Sequence, residues 1–155
     1  MDDLTKLNRT IAEHWLGRLN PDQEDYLTYT SICLGQFNHS SDEIAEFLAR
    51  TKQGTYDPLR SAKLNRRYLH YARLAAKDVA SGKLEMLINL GITLEQAEML
   101  AKLTNGELSR IAFVWDGPII RFASEAFTRG AALHVRAAKH HAAAYVATRS
   151  ATKNQ

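Results

Sequence analysis

Three times in this chain a Ser or Thr stands three residues ahead of a Glu or Gln at the head of an apolar run: Ser40 before Glu43, Thr93 before Gln96, and Thr104 before Glu107. This spacing marks a capping box, in which the hydroxyl accepts from the backbone N–H three residues on and the longer side chain returns to the cap's own N–H. Each box satisfies donors that a helix leaves without an internal partner. A chain carrying three of them is expected to be all-α, and the one departure the sequence signals is a short β-strand near 118–122.

The apolar spacing divides the chain into helices. Leu4, Leu7, Ile11, Trp15 and Leu19 recur every three to four residues and stop at Asn20-Pro21, because proline holds the residue before it in extended geometry. Tyr26, Tyr29, Ile32, Cys33 and Leu34 form a stripe that predicts a second helix from Asp22 to about Phe37. Cys33 lies on that stripe and reads as a small buried hydrophobe rather than a reactive thiol. The Ser40 box opens a third helix, Asp42 to about Lys52, followed by Gly54. Asp57-Pro58 supplies an N-cap and a first-turn proline for a long fourth helix to Ala80. Leu84–Leu90 closes on Gly91, and Leu94–Leu103 and Glu107–Val114 follow as a helix-turn-helix-like pair joined around Thr104.

Between Val114 and Phe122 the pattern changes. Asp116-Gly117 is a turn signal, and Ile119, Ile120 and Phe122 favour extended backbone. A strand cannot satisfy its own backbone, so it must pair within the chain or across a subunit boundary. Trp115, Ile119, Ile120 and Phe122 are therefore candidates for a subunit interface, with core packing the competing role for Trp115, as for Trp15. Beyond them, Ser124 to about Ala147 is alanine-rich and carries few large apolar residues, which predicts a helix that docks only in part.

Charge is polarised along the 155 residues. Residues 1–60 carry 6 Lys and Arg against 10 Asp and Glu, residues 61–116 carry 8 against 6, and residues 117–155 carry 6 against 1, giving −4, +2 and +5 within the net +3. A polyanion partner would meet the basic C-terminal third, where Lys and Arg gain affinity by releasing phosphate counterions. Arg129, Arg136 and Lys139, at spacings of seven and three, share a similar helix face and are candidate DNA phosphate contacts; Arg66 and Arg67 form a second patch. Plain solvated helix surface is the competing reading for both sets. Phosphate contacts position a protein without reading bases.

Other classes find little footing. One cysteine permits neither an intrachain disulfide nor a cysteine zinc set, the N-terminus lacks the charge and apolar pattern of a secretory signal, and no run of apolar residues is long enough for a membrane span. A cytoplasmic protein without membrane attachment is expected. There is no glycine-rich phosphate loop and no Gly-x-Ser-x-Gly elbow, and His134, His140 and His141 with Glu125 lack metal-ligand spacing. The expectation is a non-enzyme with no cofactor in this chain.

From Lys63 to Phe122 the sequence resembles a known family. The run Leu64-Asn65-Arg66-Arg67-Tyr68-Leu69, the turn Leu90-Gly91-Ile92, the stretch Ala97-Glu98-Met99-Leu100 leading to Leu103-Thr104, and the ending Arg121-Phe122 are similar in order and spacing to the core of FlhD. FlhD is one subunit of the bacterial flagellar master transcriptional activator. The resemblance spans about 60 of the 155 residues. It implies a helical subunit that homodimerises, joins a zinc-containing FlhC-like partner in a hetero-oligomer, binds double-stranded promoter DNA and recruits RNA polymerase. Related pairs activate conjugative-transfer operons. It also divides the chain into an acidic helical extension (1–60), an FlhD-like core (61–122), and a basic alanine-rich helix and tail (123–155). The extension has no counterpart in the short flagellar protein, and apolar residues around Ile119 and Ile120 replace a cysteine that can bridge two family subunits. A covalent dimer is therefore not expected, and the departures favour a conjugative-element activator over a flagellar one. The alternative is a helical adaptor that binds protein only.

Overall fold

In the computed structural model, which describes residues 2–51 and 61–153 and only backbone from residue 139 on, the chain runs α1 (Asp3–Leu16), α2 (Pro21–Leu27), β1 (Gly35–Gln36), α3 (Ser41–Arg50), α4 (Ala62–Ala80), α5 (Glu85–Leu90), α6 (Leu94–Lys102), α7 (Asn105–Val114), β2 (Arg121–Phe122) and α8 (Ser124–Lys153). The described residues are thus mostly helical, with one two-stranded antiparallel sheet.

The helix starts follow the caps. The Thr93 hydroxyl accepts from the Gln96 N–H at 3.1 Å while Gln96 Oε1 accepts from the Thr93 N–H at 2.9 Å, and Thr104 with Glu107 repeats the exchange at 3.1 Å in both directions. Asn20 and Gln23 make a further box ahead of α2. At Ser40 only half of the predicted box forms: the Glu43 N–H reaches Ser40 Oγ at 3.2 Å, but the Glu43 carboxylate turns to His39 Nδ1 at 2.9 Å. That bond to His39 holds the Glu43 carboxyl below its ordinary range. Gly91 closes α5 in left-handed geometry at φ 64°. The predicted cap at Asp57-Pro58 and the stop at Gly54 lie outside the described residues.

The core is arranged around α4, which buries Leu64, Tyr68, Leu69, Ala72, Ala75, Ala76 and Val79 and has α1, α5, α6 and α7 packed on it. Ala72, Ala75 and Ala76 of α4, Ala97 of α6 and Ala112 of α7 belong to one apolar cluster, and side chains this small permit close helix approach. Ile11, Leu27, Leu34, Phe37 and Ile44 belong to that same cluster. Residues 2–51, the described part of the acidic segment read as an extension, therefore share the core.

Three expectations are corrected. The second helix ends at Leu27 rather than near Phe37, leaving Tyr29 and Ile32 exposed. What stops it is a competing set of bonds: Asn8 of α1 takes the Leu34 N–H at 2.7 Å and donates to the Ile32 carbonyl at 2.9 Å, which fixes this stretch as extended chain leading into β1. The short strand expected near 118–122 is present as Arg121–Phe122 and, of the two pairings open to it, takes the one within its own chain, Gly35 opposite Phe122 and Gln36 opposite Arg121. A Cβ at Gly35 would lie 2.6 Å from Ile120 Cδ1, so any larger residue there would have to displace that methyl group. Consequently Ile119 and Ile120 are 1% and 2% exposed in the chain's own core and offer no surface to a partner. Phe122 stacks on Trp15 with ring centroids 5.7 Å apart, and Trp115 lies between His39 and Phe47 at 4.7 and 4.8 Å. Trp15 itself is 38% exposed, a lid on Phe122 rather than a core residue.

Candidate nucleic-acid interface

α8 meets the body through its first turns. Phe127 is fully buried, Ala131 nearly so, and Gly130 lies so close to Tyr26 of α2 that a Cβ there would overlap the tyrosine hydroxyl. His134 closes the contact, its Nε2 2.7 Å from Asp25 Oδ2 and its ring 4.8 Å from that of Tyr29. At 100° per residue these positions form one stripe, and Arg129 and Arg136 fall about half a turn away from it. Both arginines are exposed, and among the described residues neither has an ion-pair partner. Glu125 lies on the same side one turn before Arg129. The Lys139, His140 and His141 side chains lie outside the described residues. After Arg136, Ala137 and Ala138 are both exposed, so by this point the helix has left the body.

The second predicted patch is larger than the pair read from sequence. Arg66 and Arg67 are exposed on α4, Arg67 donating to Thr10 Oγ1 of α1 at 2.8 Å. Lys63, His70 and Lys77 are exposed on the same helix and extend that pair. The available signal was their recurrence at helical spacing, hidden among α4's alternating basic and apolar letters.

Not every arginine is on the surface. Arg73 is buried and donates to the Leu103 carbonyl at 3.2 Å, closing the end of α6. Arg110 donates to the Leu48 and Thr51 carbonyls at 3.3 and 2.8 Å, closing α3. Orphan carbonyls at helix ends take cations well, so these two arginines are structural. Cys33 is buried, and that burial pushes its thiol up to about 11, which keeps it protonated at neutral pH.

Among the described residues no cluster of His, Cys, Asp and Glu is arranged to hold a metal ion, and no helix is long and apolar enough to cross a membrane. Comparison with protein-family models, curated proteins and solved structures finds no match to this chain.

Proposed function

We propose that this chain is a DNA-binding subunit of a transcriptional activator, working in a cytoplasmic hetero-oligomer with an FlhC-like partner that carries zinc and recruiting RNA polymerase, at conjugative-transfer promoters in preference to flagellar ones. The observation that carries DNA binding is α8: Phe127, Ala131 and His134 dock one side of it, which leaves Arg129 and Arg136 aimed outward with no ion-pair partner among the described residues. Free guanidinium groups on a helix that leaves the body suit phosphate contact.

The activator part of the reading is supported by the FlhD-like order of residues 63–122, which run from α4 to β2. A partner subunit is supported by the start of α5, where its N-cap Leu84 and Ile88, one turn on, are 59% and 78% exposed. Apolar residues grouped on an outer face mark contact surfaces.

The test is selection of genomic DNA fragments by the full chain, alone and co-expressed with an FlhC-like subunit. Enrichment of fragments upstream of transfer genes is the expected result. Stable capture of protein without enrichment of any fragment would replace the activator with the adaptor.

A further inference from the structure

We propose that α4, the helix at the centre of the core, is also a phosphate-binding rail for duplex DNA. Its exposed residues from Lys63 to Lys77 are Lys63, Arg66, Arg67, His70, Leu74 and Lys77, with Tyr71 and Asp78 half-exposed at the edge of that face. The steps between the six exposed residues, three, one, three, four and three, keep them on one side of the helix. Five of the six carry a basic side chain and none is acidic. From Lys63 to Lys77 the rail extends for about 21 Å at the helical rise. None of its Lys or Arg residues has an ion-pair partner among the described residues. The surface continues onto α1, where Lys6 and Asp3 line a shallow groove with Arg67, Tyr71 and Leu74; among the described residues Asp3 is the one carboxylate lining it.

Charge complementarity names the occupant. A duplex presents one phosphate per about 3.4 Å of axis on each strand, a dense array of negative charge of which a row of cations this long meets several members. An acidic protein would need carboxylates spaced along a comparable line. The opposite side of α4 packs on α6 and α7, so only the basic side is offered to a duplex, and its long, flexible Lys and Arg side chains suit phosphate oxygens. Such contacts would set orientation and leave sequence to other parts of the complex. The rail rests on the DNA-binding reading above but is independent of α8.

The experiment is fluorescence anisotropy of a labelled duplex across a salt series, with the full chain alone and with an FlhC-like partner. Three variants are compared: K63Q/R66Q/R67Q/K77Q, the charge-conserving K63R/R66K/R67K/K77R, and R129Q/R136Q. Each neutralised phosphate contact should reduce the slope of log affinity against log salt by about 0.9. The expected result is a slope flattened by about 3 to 4 in the Gln variant, near wild type in the charge-conserving variant, and changed by at most about 2 in R129Q/R136Q. Circular dichroism checks that the substitutions leave the helices intact. Duplex binding that persists with an unchanged slope in the Gln variant would overturn the rail and leave the function standing. Rail-dependent binding that is tighter to single strands would overturn the duplex as occupant. No salt-dependent duplex affinity in any wild-type mixture would overturn both readings.

Discussion

Asn8 and Asn65 make the same pair of hydrogen bonds from two different helices. Asn8 on α1 accepts from the Leu34 N–H at 2.7 Å and donates to the Ile32 carbonyl at 2.9 Å; Asn65 on α4 accepts from the Ile119 N–H at 2.8 Å and donates to the Gly117 carbonyl at 3.0 Å. Each fully buried amide thus grips an N–H and the carbonyl two residues before it, just ahead of a strand, and the two gripped segments become β1 and β2. Replacing either Asn by Ala removes this pair of bonds, and at Asn65 also a longer one to the Ala112 carbonyl at 3.4 Å, and leaves buried backbone groups unpaired, at about 1 to 3 kcal/mol for each orphaned group. Urea unfolding of N8A and N65A should each show a loss of about 2 to 4 kcal/mol. Because both amides position one ladder, the double variant should lose less than the sum. Single losses below about 0.5 kcal/mol would refute the clamp.

The docking of α8 depends on Gly130. Its missing Cβ makes room for the Tyr26 ring, and Ala there would overlap the hydroxyl and Cζ. G130A should speed amide hydrogen exchange over residues 124–134, and should cost less when Tyr26 is also Ala, since the obstruction is then gone. Equal cost in both backgrounds would show that the contact does not hold the helix.

Cys33 provides a pH signature. Burial raises its thiol to about 11 in the folded chain, above its value when unfolded, so the native state holds the proton more tightly. The resulting stability is complete below the unfolded pKa and is lost as pH rises through the folded one. The stability difference between wild type and C33A should therefore shrink by on the order of 1 to 2 kcal/mol between about pH 9 and 11. At pH 7.5 the thiol should resist Ellman's reagent until denaturant unfolds the chain, and prompt labelling of the folded protein would contradict this burial.

Gly91 sits at φ 64°, with its own N–H and that of Ile92 both reaching the Leu87 carbonyl, at 2.8 and 3.2 Å. An L side chain is strained there, so G91A should destabilise the fold by about 1 kcal/mol in urea unfolding, with no change in far-ultraviolet circular dichroism of the folded state.

The helices whose information is local were legible. Thr93, Thr104 and Gly91 act on their own turns, and α5, α6 and α7 begin or end beside them. The errors came where a distant residue decided the outcome. Residues 28–34 carry an apolar stripe fit for a helix, but Asn8, about 26 positions away, takes the Leu34 N–H. The strand at Arg121–Phe122 was visible, while its partner Gly35–Gln36 was not, since two residues carry no period. The same limit applies to the candidate interface. Arg129 and Arg136 could be placed on one helix face from spacing alone, but only the burial of Phe127 and Ala131 shows that this face points outward. Ile119 and Ile120 looked available for a subunit contact because nothing in the sequence says that both are buried in the chain's own core, Ile120 against Gly35.

The central claim is that the exposed arginines of α8 bind duplex phosphate. The structure also governs how it must be tested, since cutting the chain after Phe122 would remove Phe127 from the core. The most direct measurement is therefore the salt dependence of duplex affinity for the intact chain beside R129Q/R136Q, with folding checked by thermal melting. The account predicts that log affinity falls steeply with log salt in the wild type and that losing two phosphate contacts flattens the slope by about 1.8. An identical slope and affinity in the two proteins, with both folded, would contradict it.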